Sequence, residues 1–163
     1  MSHLKRAREV FDVELAAVKA VRGRLNATFD KAVALITYAL ANRNKLVVVG
    51  VGKSGNIGRK IAATFTSTGA PAVLLDSVDA LHGDLGILND GDIVLALSYS
   101  GETDELIDLL PAMKRFSVRV IAITSAPKST LGQHADVVLN VKVPKEALSL
   151  IHISEPTRQA EIS

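Results

Sequence analysis

Five short apolar runs do more than any other feature to limit what this chain can fold into. Residues 46–49, 72–75, 93–97, 118–123 and 137–141 are strand-length, rich in β-branched residues and almost continuously apolar. Such a run has no polar side to turn towards water. Each is therefore expected to be covered on both faces, as strands of parallel sheets are. Helical segments at residues 56–67 and 103–115 separate several of the runs. Alternating strand and helix predicts βαβ crossovers and an open, doubly wound α/β fold with a parallel five-stranded sheet. Pro111 removes a backbone donor inside the second helical segment and predicts a kink there. Ahead of the sheet, Leu4, Phe11, Leu15, Val18 and Leu25 share one helical face, and Phe29, Val33, Ile36 and Leu40 share another. Two N-terminal helices are expected, ended by Asn42-Arg43-Asn44.

The 163 residues suit one domain, large enough to bury a core without covalent staples. Hydrophobic residues make up 48% and charged residues 22%, the balance of a folded soluble protein. Lys and Arg number 19 against 17 Asp and Glu, and the net +2 is too small to imply a nucleic-acid partner. With no Cys, a disulfide framework, a thiolate metal site and a Cys nucleophile are excluded. No run approaches the roughly 18 apolar residues of a membrane helix. Met1-Ser2-His3-Leu4-Lys5-Arg6 lacks the apolar core of a signal peptide, so a cytoplasmic location with no membrane partner is expected.

In open parallel sheets, ligands bind beyond the carboxyl ends of the strands, so the loops that follow the strands matter most. After the first strand, Gly50, Gly52 and Gly55 spell GxGxxG, and Asp76 closes the second strand, close to a dinucleotide fingerprint. A Walker A loop is excluded because Val47 occupies the position of its first glycine. A glycine loop at a helix start, carrying Lys53 and Ser54, suits an anion. A tight turn with a solvated Lys53 is the plain alternative. After the third strand, Ser98, Ser100 and Thr103 crowd around Gly101 at another helix start. A single helix cap would account for one hydroxyl, not three, and the group reads as a phosphate cradle. Glu102, Asp104 and Glu105 sit in the first helical turn, where acids are ordinary. Three carboxylates beside a phosphate would repel it, which leaves at least one to face the reacting end of a substrate. Spacing does not choose among them. His82-Gly83-Asp84-Leu85-Gly86 has no second His or Cys at ligand spacing, so no metal is expected.

Taken together, Gly52-Lys53-Ser54-Gly55, His82-Gly83-Asp84-Leu85-Gly86, Ser98-Tyr99-Ser100-Gly101-Glu102 and Lys145-Glu146-Ala147 resemble, in that order, the sugar isomerase (SIS) domain of bacterial D-arabinose 5-phosphate isomerases. The resemblance covers residues 1–147. It implies an aldose–ketose isomerisation between D-arabinose 5-phosphate and D-ribulose 5-phosphate, in lipopolysaccharide (Kdo) biosynthesis, without metal, nucleotide or other cofactor. Ser54, Ser98, Ser100, Gly101 and Thr103 would hold the phosphate. Lys53, Glu105 and Glu146 would be catalytic, with His82 near the sugar. A carboxylate can move a proton between C2 and C1 through an enediolate, and a fixed cation can stabilise the oxygen charge that develops. A dinucleotide reading would leave the serine loop idle, whereas a sugar phosphate uses both loops. The family also implies a homo-oligomer, commonly a tetramer. Because the lysine and serine loops also occur in SIS modules that only sense sugar phosphates, a non-catalytic binding module is the alternative.

Past Ala147 the sequence departs from the family. Family members continue into a hydroxyl-rich segment and further helices that carry a catalytic histidine before Pro-Gly-Gly, and most then add a pair of CBS domains. Here Leu148-Ser149-Leu150-Ile151-His152-Ile153-Ser154-Glu155-Pro156-Thr157-Arg158 resembles, codon for codon, the translation of a transposon-end sequencing adapter. The expectation is an incomplete SIS domain over 1–147, a non-native tail over 148–163, and weak or absent turnover by this truncated chain. His152 would then not stand in for the family's histidine.

Overall fold

The computed structural model describes residues 2–76, 80 and 84–144. The chain divides into two compact units, one holding α1 (His3–Arg22) with the segment from Lys142, the other spanning Leu25–Val141. In the first unit, Arg24 donates from Nη1 to the Ala20 carbonyl at 2.9 Å and to the Lys142 carbonyl at 2.7 Å. Lys19 and Arg22 lie in the last turn of α1, where cations complement the helix dipole. Leu4, Phe11, Leu15 and Val18 form the apolar stripe foreseen from their spacing, and each is more than half exposed.

The second unit is the sheet and its helices. Its order is α2 (Ala27–Ala41), β1 (Leu46–Gly50), α3 (Lys53–Ser67), β2 (Ala72–Leu75), a 3-10 turn (Asp84–Ile87) and β3 (Ile93–Leu97). Then come α4 (Asp104–Ile107), α5 (Leu110–Met113), β4 (Arg119–Thr124), α6 (Thr130–His134) and β5 (Val137–Asn140). The five strands are all parallel, in the order β2-β1-β3-β4-β5. Every residue of β1 and β3 is buried, which is why those runs carry no polar alternation. The pleat sends Val47, Val49, Val94, Ala96, Val120 and Ala122 to one face, under Leu106, Leu110, Met113 and Leu131 of α4, α5 and α6. It sends Val48, Ile93, Leu95 and Ile121 to the other, under Ala32 and Ala39 of α2 and Ala62 of α3. The doubly wound α/β architecture is therefore present, with helices on both faces.

Three details differ from the sequence expectation. The buried face of α2 centres on Ala32 and Ala39, with Leu35 and Ile36 beside them, while Phe29 and Val33 stay exposed. Small side chains let the helix approach the sheet closely. Residues 103–115 form two short helices rather than one kinked helix. Pro111 offers no N–H to the Ile107 carbonyl and its ring crowds that carbonyl, and α4 ends at Ile107. Finally, α3 starts at Lys53, directly after Gly52 (φ 56°), so Lys53, Ser54 and Gly55 belong to the helix rather than to a loop ahead of it.

At the amino ends of the strands, carboxylates act as clamps. Asp92, 1% exposed, accepts from the Lys45 N–H at 3.0 Å, the Lys45 ammonium at 2.6 Å and the Asn89 N–H at 2.9 Å. Burial pushes its carboxyl up, but the bonds from Lys45 and Asn89 outweigh that and hold it below its ordinary range. Asp136 likewise accepts from Arg119 and from the Val120 N–H, each at 2.8 Å, tying β5 to the start of β4. Among the described residues no helix is long and apolar enough to cross a membrane.

Candidate functional site

The strand order reverses direction between β1 and β3: β2 lies on the far side of β1, β4 on the far side of β3. That reversal is the switch point at which doubly wound sheets open a crevice for ligands. Gly50 pairs across from Leu97, so the loops after β1 and β3 leave the sheet side by side. Lys53 and Ser54 open the helix that follows the first of them; Ser98, Ser100, Gly101 and Thr103 stand on the other. The structure thus brings together two groups of residues that are more than forty positions apart in sequence. Asp76 follows β2, on the opposite side of β1 from the serine loop.

Close backbone approach shapes the first loop. A Cβ on Gly55 would lie 2.7 Å from the Gly50 carbonyl oxygen, so the first turn of α3 rests directly on the end of β1. This places Lys53 at the N-terminus of a 15-residue helix, with its side chain exposed and Ser54 half-buried beside it. Among the described residues the Lys53 ammonium has no hydrogen-bond or ion-pair partner.

The second loop is internally ordered. Ser98 Oγ, buried, accepts the Gly101 N–H at 3.0 Å and lies 2.8 Å from Thr103 Oγ1. Ser100 Oγ accepts the Glu102 N–H at 3.2 Å. Each serine oxygen spends a lone pair on a backbone N–H. One hydroxyl hydrogen serves the Ser98–Thr103 contact, and the Ser100 hydrogen is left to donate. The Ser100 hydroxyl hydrogen is thus available to donate to an anion. Gly101 adopts φ 70°, and any Cβ there would run into the Ser129 side chain.

The three acids separate on inspection. Glu102 Oε1 accepts the Thr130 N–H at 2.8 Å, and hydrogen bonding from Thr130 holds this exposed carboxyl below its ordinary range. It fastens the loop to α6. Asp104 is exposed, and Glu105 is half-buried in the first turn of α4. Of the acids left undecided by spacing, Glu102 is occupied and Glu105 is not so held. His82 and Glu146 lie outside the described residues, as do Lys145 and Ala147 and the segment from Leu148 to Ser163. Among the described residues, no three His, Cys, Asp or Glu side chains gather to hold a metal ion.

A group of residues absent from the sequence reading comes from the segment after β4. Thr124 Oγ1, Ser125 Oγ and the Ser125 N–H all donate to the Tyr99 carbonyl, at 3.1, 2.7 and 3.0 Å. The Leu131 N–H reaches the Gly101 carbonyl at 3.1 Å. Thr124, Ser125, Ser129 and Thr130 are a second cluster of hydroxyls following a strand. The rule that directed attention to the loops after β1 and β3 could have found them.

Residues 39–158 match the SIS domain family. A Haemophilus influenzae relative named as an arabinose 5-phosphate isomerase is 46% identical over 146 residues, which is 90% of this chain and 42% of the relative. The chain spans less than half the length of the curated relatives it matches. A Listeria monocytogenes structure named as a sugar-phosphate isomerase superposes with a TM-score of 0.84 at 32% identity, covering 90% of this chain and 78% of that one. An Escherichia coli protein solved in complex with arabinose 5-phosphate superposes with a TM-score of 0.75 at 34% identity, with the same coverage of 90% and 78%.

Proposed function

The chain belongs to the SIS domain family, and on that footing we propose that it is the sugar-phosphate-binding part of an isomerase acting on D-arabinose 5-phosphate and D-ribulose 5-phosphate. The observation that carries the reading is the pairing of a serine loop with a glycine–lysine helix start at the β1/β3 switch point. The substrates named for the curated relatives and for the Escherichia coli complex support it.

In this reading Ser54, Ser98, Ser100, Gly101 and Thr103 hold the phosphate and fix the sugar's remote end. A carboxylate removes the proton from C2 of the aldose, and the electron pair moves through the C1–C2 bond onto the C1 oxygen. The resulting enediolate is reprotonated at C1 as the O2 proton passes to O1, so that O2 becomes the carbonyl and O1 the hydroxyl. Glu105 and Glu146 are the two candidates for the proton carrier, with no order set between them. Lys53, exposed and without a described partner, stabilises the enediolate oxygen. His82 lies near the sugar. No metal or nucleotide enters these steps.

The domain boundary belongs to the same proposal: residues 1–147 are an incomplete isomerase domain and 148–163 a non-native tail, although the family match runs on to residue 158. An independent genomic read that encodes the same tail would sink that boundary. The protein works in the cytoplasm, in lipopolysaccharide sugar synthesis, as a homo-oligomer. Exposed apolar side chains on α2, namely Phe29, Val33 and Tyr38, are the kind of surface self-association covers.

The experiment incubates the intact gene product with arabinose 5-phosphate, follows ribulose 5-phosphate by NMR and titrates NAD in parallel. Interconversion without NAD supports the isomerase. Sugar-phosphate binding without interconversion identifies a sensing module instead, and NAD binding alone overturns both.

A further inference from the structure

The carbonyl of Tyr99 receives three donors from a single neighbouring segment, more than its two lone pairs require. We propose that Thr124 and Ser125 are positioning residues: by pinning the Tyr99 carbonyl they aim the Ser100 N–H at the phosphate of the bound sugar. The inference rests on the sugar-phosphate reading above and adds residues to it that touch no substrate themselves.

The argument is geometric. The 99–100 peptide is trans, so the Tyr99 C=O and the Ser100 N–H point in opposite directions within one rigid plane. Thr124 and Ser125 lie at and just after the end of β4, the neighbour of β3. Drawing the carbonyl towards them turns the N–H away from β4. Among the described residues that N–H has no acceptor, although the neighbouring N–H groups of Gly101 and Glu102 both do. Thr124 is itself fixed, being fully buried and accepting the Ala126 N–H at 3.2 Å. The Leu131 bond to Gly101 and the Glu102 bond to Thr130 hold the far side of the loop. An untethered peptide would flip between orientations, and a phosphate would meet a carbonyl oxygen as often as an N–H. The tether removes the repulsive orientation before the ligand arrives, which is preorganisation.

The test titrates the wild-type chain, Ser125→Ala, Thr124→Val and Thr124→Ser with inorganic phosphate and with arabinose 5-phosphate by calorimetry. The ¹⁵N–¹H signal of Ser100 is followed by NMR and Tm is measured for each protein. Ser125→Ala removes one of the three donors at a half-buried position and is the variant least prone to misfold. It is expected to weaken both ligands about three- to tenfold with Tm nearly unchanged, and to shrink the phosphate-induced shift of Ser100. Thr124→Val is expected to do the same, and Thr124→Ser, which keeps the hydroxyl, to bind within about twofold of wild type. Wild-type affinity and an unaltered Ser100 shift in folded Ser125→Ala and Thr124→Val would overturn the inference, as would equal loss in Thr124→Ser. A wild-type chain that binds neither ligand would instead bring down the sugar-phosphate reading, and this inference with it.

Discussion

Asp92 and Asp136, near the amino ends of the strands, spend their carboxylate oxygens on partners inside the protein. Ser98, Ser100 and Thr103, beyond the carboxyl end of β3, spend lone pairs and keep donating capacity in hand. The two ends of one sheet thus use polar side chains oppositely. Acceptors at one end are saturated by the fold and hold strands together. Donors at the other are ordered by the fold yet not exhausted by it. Polarity alone does not mark a binding site; polar capacity left over after the fold has taken its share does.

If that contrast holds, damage at the amino end should cost stability and damage at the carboxyl end should cost binding. The largest effect is expected from Asp92→Ala, which strands a partly buried Lys45 and two backbone N–H groups. Unfolding stability should fall by about 3 kcal/mol, read by urea titration, while the folded fraction keeps its sugar-phosphate affinity. Loss of affinity without loss of stability would break the comparison. Gly101→Ala forces a side chain against Ser129 and a positive φ onto alanine, and should cost about 2 kcal/mol of sugar-phosphate binding by calorimetry. Ser100→Ala should weaken sugar-phosphate binding by about 1–2 kcal/mol and leave Tm within a few degrees; unchanged binding removes that serine from the cradle.

A milder probe of the amino end is pH. The Asp92 carboxyl is held below its ordinary value of 3.8, so its stabilising bonds are complete above that value. They are lost as pH falls through the lower folded value. Urea midpoints should therefore decline as pH falls below about 4, and Asp92→Asn should flatten that decline. The smallest effect belongs to Arg119→Ala. Its ion pair with Asp136 is solvent-accessible, with the Arg side chain 65% exposed, and should contribute no more than about 0.5 kcal/mol to urea stability.

What could be read from the sequence follows the same division. Residues 93–97 coincide with β3 because burial on both faces forces unbroken apolar composition, and residues 72–75 coincide with β2 although, as an edge strand, it is only partly buried at Ala72, Val73 and Leu74. Helix faces were less legible: periodicity points to Phe29, Val33, Ile36 and Leu40, of which Ile36 packs on the sheet beside Ala32 and Ala39 while Phe29 and Val33 stay exposed. At the site, Ser98, Ser100 and Thr103 stand out because they fall within six consecutive residues. Thr124 and Ser125 did not, because their partner is a backbone carbonyl that no side-chain pattern reveals. Glu102 looked like its neighbours Asp104 and Glu105 until α6 supplied the N–H that claims it.

The strand order also sets a timetable for folding. β1 is flanked by β2 and β3, both made after it, and Leu46 finds its second neighbour only when Ile93 has been synthesised. Until then one apolar strand edge waits unpaired, with no local hairpin to shelter it. Every pairing in the sheet closes a long loop before it is rewarded, so refolding should be slow and prone to misassociation at high concentration. The crevice at the switch point is complete only once β3 has docked, so sugar-phosphate affinity should appear late in refolding.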